Sequence, residues 1–221
     1  NNFIVQGSIL AIAGVLVRLL SLFKRIPLAY IIGDTGNGYY ATAFDIYQIF
    51  STISAYGIPV ALSKLVSAKV SKGEYKNADK IFRCALKFSI VMGLLSSFIV
   101  FFFSNQLAGA FGEPMSYLAL RMISPTLLIV CVLSVFRGYY QGMGTMVPTA
   151  ISQVLEQIAV VGVGIGASYF LAKYGTKVGM LLHNEQYKYA YGAAGAIGGC
   201  VAGAVLALLF MLLMYKAGSR R

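Results

Sequence analysis

Three cations stand where an apolar chain ordinarily carries none. Arg18, Lys24 and Arg25 lie in a run built mostly from Leu, Ile, Val and Ala. A charge at the centre of a bilayer costs at least ~2.5–3.5 kcal/mol, so a helix that carries one turns it toward a cavity or a partner. Guanidinium groups bind phosphate through paired hydrogen bonds, and ammonium groups bind it as point charges. In a low-dielectric hollow that attraction is far stronger than in water. The chemistry these residues suit is therefore capture of a phosphate or diphosphate. Gly7, Ala11, Gly14, Arg18, Ser21 and Arg25 step by three or four, which puts them on one helix face. Lys24 points elsewhere on an ideal helix, but a kink at the nearby Pro27 can swing it.

A second polar stripe follows. Asp45, Gln48, Thr52, Tyr56, Pro59 and Ser63 also step by three or four, the pattern of a wall facing water. Asp45 is a candidate to offset one of the first helix's cations. Gln153, Glu156 and Gln157 cluster in a later apolar segment, where Glu156 serves either the cavity or a structural ion pair. Arg121 and Ser124 lie near the outer end of another. With only Asp45 and Glu156 as counter-charges, the cavity is expected to be positive. The candidate substrate-binding set is Arg18, Lys24, Arg25, Asp45, Gln48, Thr52 and Glu156. An anionic ligand with an apolar tail, such as a pyrophosphate-linked lipid, fits it. An inside-negative potential assists its outward movement by about 2.3 kcal/mol per charge per 100 mV.

The elements that must hold these side chains follow from composition. Of 221 residues, 58% are hydrophobic and 11% charged, against about 45–50% and about 25% in soluble domains. So little polar surface excludes a soluble enzyme, a disordered chain and a collagen-like fibre. A bilayer crossing needs about 20 apolar residues. Six segments qualify, at residues 3–32, 39–66, 78–104, 116–138, 147–172 and 189–215. None alternates as a barrel strand does. The expectation is an all-α polytopic membrane protein, with residues 1–221 forming one lobe of six transmembrane helices.

The net charge of +11 speaks for membrane contact rather than nucleic acid because of where it falls. Lys69, Lys72, Lys76, Lys80, Arg83 and Lys87 lie around the second-to-third connection, Arg137 at the fourth-to-fifth, and Lys216, Arg220 and Arg221 in the tail. These share one side, expected to be cytoplasmic with both termini. Residues 33–38 and 105–115 carry no Lys or Arg, and only the expected loop at 173–188 runs against the trend. Lys76, Lys80, Arg83 and Lys87 recur at helical spacing, as a stripe facing anionic headgroups. Gly162 with Gly166, and Gly195 with Gly199 and Gly203, have the spacing that lets helix backbones approach, within the lobe or across a dimer. Cys84, Cys131 and Cys200 are too far apart for a metal or disulfide framework and read as small buried hydrophobes. The N-terminus lacks the basic region and cleavage site of a signal peptide. His183 has no catalytic partner, and no nucleotide, hydrolase or zinc motif occurs. The chain is expected to be neither an enzyme nor a cofactor protein.

Several runs carry a resemblance. Ile26-Pro27, the stretch from Ile32 through Gly33-Asp34-Thr35-Gly36-Asn37-Gly38 to Tyr40, and Ile58-Pro59-Val60-Ala61-Leu62-Ser63-Lys64-Leu65-Val66-Ser67 resemble the stage V sporulation protein B and Gram-positive MurJ branch. That branch belongs to the multidrug/oligosaccharidyl-lipid/polysaccharide (MOP) exporter superfamily. Arg137-Gly138-Tyr139-Tyr140-Gln141-Gly142 and Pro148-Thr149 are similar to its fourth-to-fifth connection. The resemblance implies the first of two six-helix lobes of a MATE/MurJ-like transporter, with a cavity between the lobes. It implies flipping of an undecaprenyl-pyrophosphate-linked precursor by alternating access, with a second lobe or a homodimer as partner. It matches Arg18 and the Lys24-Arg25 pair to basic positions proposed to hold the pyrophosphate. Ser51-Thr52 stands where Gram-negative members carry a basic pair, so no phosphate contact transfers there. Two alternatives remain: a cation-coupled multidrug exporter relying on Asp45 or Glu156, and a half-length scaffold.

Overall fold

The computed structural model describes the backbone of residues 2–218 and the side chains from residue 4 onward. Arg220 and Arg221, assigned above to the basic side, lie outside the described residues. The described chain is helical almost throughout. Helix α1 covers residues 2–32 and α2 residues 34–70, and Gly33 alone breaks them (φ 60°, ψ −169°). Only glycine takes that backbone conformation without strain. The expected loop at residues 33–38 is thus a one-residue turn, with Asp34–Gly38 already helical. The chain doubles back at Gly33, so that Lys24 of α1 meets Tyr40 of α2.

Then follow α3 (Tyr75–Phe102), a short α4 (Ser104–Ala110), a 3-10 turn at Pro114–Ser116, α5 (Tyr117–Gly142), α6 (Val147–Leu182) and α7 (Gln186–Gly218). Five helical stretches are long and apolar enough to cross a membrane. The first of these folds at Gly33 into α1 and α2, which makes six passes. The expected basic loop at 173–188 is helix instead. The α6 helix runs on to Leu182, and His183–Glu185 alone turn the chain into α7. At 1.5 Å per residue α6 is about 54 Å long, well beyond the ~30 Å hydrocarbon core.

The prolines act locally. Pro125 leaves the Arg121 carbonyl without its helical donor, and the Ser124 hydroxyl donates to that carbonyl at 2.9 Å. Before Pro59 the helix widens into a π-helical turn at Thr52–Tyr56, consistent with the missing donor for the Ala55 carbonyl.

Small residues decide the closest helix contact, between α6 and α7. A Cβ on Gly199 would sit 2.5 Å from Gly164 Cα, and one on Gly195 would sit 2.5 Å from the Ala167 carbonyl. Gly203 presses equally on the Glu156 carbonyl, at 2.6 Å. Gly162 and Gly166, by contrast, have nothing within 4 Å of a built Cβ. The packing face of α6 runs through Gly164, so only the α7 glycines act within the lobe as their spacing implied. Cys131 is buried, but Cys84 is exposed and Cys200 half-buried, contrary to expectation.

The ends are tied by side chains. The Met146 N–H donates to Gln6 Oε1 (2.9 Å), and Tyr215 Oη donates to Asp79 Oδ1 (3.0 Å). These bonds gather the start of α1, the α5–α6 connection, the start of α3 and the end of α7 at one end of the lobe. Lys76, Lys80, Arg83 and Lys87 are all exposed at that end.

Candidate functional site

A polar cavity of about 470 Å³ lies among α1, α2, α5, α6 and α7. It exists because α1 and α2 present polar groups inward where α5–α7 close the far wall. Lys24 is its buried cation, only 5% exposed. Its Nζ donates to Tyr40 Oη at 3.0 Å and lies 4.7 Å from that ring's centroid. Across the cavity Gln157 Nε2 donates to Ser21 Oγ at 2.9 Å. Gln48 Nε2 donates to Tyr56 Oη at 3.2 Å. Arg25, Gln48 and Tyr56 line the cavity and are also exposed, so it opens between α1 and α2. Thr126 lines the far wall, 1% exposed, with a hydroxyl that has no protein partner. A polar group left so is open to a ligand or water.

Of the seven candidate residues, the cavity unites Lys24, Arg25, Gln48 and Glu156. Arg18 is not among its walls and is exposed. Arg18 stands about 120° from Lys24 around the helix, and Arg25, on nearly the same face as Arg18, reaches the cavity from about 10 Å further along the axis. The cavity takes Ser21 and Arg25 from the face drawn through Gly7, Gly14 and Arg18 and adds the neighbouring Val17, Lys24 and Leu28. Lys24 thus points inward without the help of a kink. Asp45 and Thr52 are likewise exposed on α2, outside the walls. The Thr52 hydroxyl donates to the Gln48 carbonyl at 2.7 Å, and no ion pair joins Asp45 to a cation among the described residues.

Glu156 does not balance Lys24 directly. Its Oε2 accepts from Arg137 at 2.7 Å, and Arg137 also donates to Ser152 Oγ at 3.0 Å. This pair lies between the main cavity and an adjoining one of about 290 Å³ lined by Ser51, Pro59, Ser134 and Gln141. The ion pair among the two roles open to Glu156 is therefore formed, with α5 as its source. Sequence reasoning missed Tyr40, Tyr47, Thr126 and Cys200 as cavity walls. Tyr40, Phe44 and Tyr47 form an aromatic ladder with centroids 6.0 and 5.7 Å apart, a signal visible in their i, i+4, i+7 spacing. Among the described residues no cluster of three metal-ligating side chains occurs.

Six apolar passes around a polar, cation-bearing hollow define a multi-pass membrane protein. The family model described as "Polysaccharide biosynthesis protein" matches residues 4–218, and the chain belongs to that family, within the MOP exporter superfamily. It is 31% identical to stage V sporulation protein B of Bacillus subtilis (strain 168) over 98% of this chain and 39% of that protein. It is 30% identical to the lipid II flippase MurJ of the same organism, over 91% of this chain and 38% of that one. The chain thus spans about two fifths of the length of these relatives. A crystal structure of MATE in the bent conformation superposes with a TM-score of 0.69 at 16% identity, covering 95% of this chain and 45% of that one. A second MATE structure gives 0.71 at 14% identity with the same coverage. These two establish the helical fold.

Proposed function

We propose that this chain is one lobe of a MOP-type flippase that moves an anionic lipid-linked saccharide across the cytoplasmic membrane. The substrate class is an undecaprenyl-pyrophosphate-linked cell-wall precursor, as likeness to the lipid II flippase MurJ suggests. The observation that carries the reading is the buried Lys24 beside the exposed Arg25 in a hollow at membrane depth. A diphosphate entering between α1 and α2 meets Arg25 first and Lys24 behind it, with the Gln48, Tyr56 and Thr126 groups for its remaining oxygens. Arg18, Asp45 and Thr52 act on the exposed polar face, which in this reading borders a water-filled space shared with a second lobe. The lobe works by alternating access and as a transporter rather than an enzyme. Its Lys-rich end and both termini are cytoplasmic, by the distribution of Lys and Arg.

Binding of undecaprenyl pyrophosphate to the purified chain tests this. A charge-assisted hydrogen bond is worth about 1.5–3 kcal/mol, so Lys24→Gln with Arg25→Gln is expected to weaken binding at least about tenfold. Arg18→Gln alone is expected to cost less. Unchanged affinity in the double variant, with the fold intact by circular dichroism, sinks the proposal.

A further inference from the structure

A second recognition feature lies on the opposite side of α5, away from the polar cavity. An apolar groove of about 590 Å³ runs between α3 and α5, walled by Val91, Leu94, Phe98, Phe101 and Phe102 on one side and Pro125 on the other. Its origin is local. Gly93 lets α3 touch α5, since a Cβ there would sit 2.9 Å from Leu128 Cα. Beyond that contact Ser124 and Pro125 of α5 face the α3 phenylalanines across an open trough, while Val100 packs behind it with Leu120 and Ile123. The walls from residue 91 to 102 rise about 16 Å, roughly half the ~30 Å hydrocarbon core. The groove is therefore one leaflet deep.

Arg121 stands one turn beyond Pro125 at the groove's outer end. Its Nε donates to Ser104 Oγ at 3.1 Å, and its guanidinium carbon lies 5.3 Å from the Tyr117 ring centroid. These contacts hold it beside the end of α3. Arg121 is exposed, and among the described residues no carboxylate pairs with it. A cation at headgroup level above a leaflet-deep apolar trough matches one ligand chemistry, an anionic phosphate with an acyl chain.

We propose that the α3–α5 groove is a binding site for an anionic glycerophospholipid of the leaflet opposite the Lys-rich end. One acyl chain lies along Phe98, Phe101 and Phe102, and the phosphate pairs with the free Arg121 N–H groups. The site is separate from the polar cavity and does not depend on the transported substrate.

The chain contains no tryptophan, so Phe98→Trp installs a single reporter in the groove wall. The chain is reconstituted in phosphatidylcholine vesicles containing brominated phosphatidylglycerol or, separately, brominated phosphatidylcholine. The expected result is half-maximal quenching at a several-fold lower mole fraction of the brominated phosphatidylglycerol. Adding Arg121→Gln is expected to bring the two lipids within twofold, while Arg121→Lys keeps the preference and shows that the fold survives substitution there. Equal quenching in the Phe98→Trp chain would mean ordinary boundary lipid and overturn the proposal. So would a preference that persists in Arg121→Gln, or one lost equally in Arg121→Lys.

Discussion

The α6–α7 pair and the α1–α2 pair are built on opposite terms. In the first, glycines at every fourth position of α7 bring backbones into contact, and Ser168 Oγ donates to the Gly192 carbonyl across the seam at 2.9 Å. In the second, side chains hold the helices apart, and the space between them is lined by Lys24, Tyr40, Gln48 and Tyr56. A protein interior gains dispersion energy from close contact, which the first pair takes in full. The second pair forgoes part of it and keeps polar groups at membrane depth. Close backbone packing sits with α6–α7, and the polar lining with α1–α2.

The largest expected break in this contrast is steric. Gly199→Val puts side-chain atoms where the Gly164 backbone already lies, and overpacking of this kind costs about 1–3 kcal/mol or more. Thermal unfolding in detergent should show a large drop in Tm for Gly199→Val. Gly162→Val, with open space around it, should stay within about 0.5 kcal/mol of the parent. Equal losses would mean that α6 packs through another face.

The Arg137–Glu156 pair joins the two regions, since Glu156 lies on α6 and lines the cavity. Arg137→Gln should destabilise by about 1–3 kcal/mol by leaving a half-buried carboxylate without its cation. Glu156→Gln in the same chain should recover part of that loss. A double-mutant cycle in detergent reads the coupling, and additive losses would show that the pair contributes nothing as a pair.

The smallest effect lies at the basic end, where α2 turns into α3. Hydrogen bonds from Lys69 and then Asn77 hold the Glu74 carboxyl below its ordinary range. A carboxyl depressed in the folded state adds stability that is present above its unfolded pKa of about 4.3 and fades as pH falls through the folded value. The exposed position keeps the contribution small. Acid unfolding of Glu74→Gln should therefore converge with the parent below about pH 4 and fall slightly short of it near neutrality. A constant gap across that window would assign the difference to something other than this charge.

Much of the site was legible in particular residues. Arg25, Gln48 and Glu156 were flagged by polarity alone in apolar helices, and the structure brings them to one hollow with Lys24. Helical periodicity assigned faces but not their absolute rotation. Lys24 and Arg25 stand on adjacent faces of α1, and only packing against α6 and α7 decided that both reach the hollow while Arg18 stays outside it. The partner of Glu156 was hidden because Arg137 is 19 residues away and on another helix. The same limit applies to α6, where Gly162-x-x-x-Gly166 matched a packing pattern that Gly164 fulfils.

Apolar composition and span length determined from the sequence that the chain crosses a membrane as helices, because a bilayer offers the backbone no hydrogen-bond partners. The run of buried-type residues interrupted by cations determined that some of those helices meet polar groups. Tertiary structure decided which cation is enclosed, where α6 stops and which glycines touch. Those outcomes depend on rotations and contacts between segments far apart in the chain, and a difference of about 120° around one helix separates the enclosed Lys24 from the exposed Arg18.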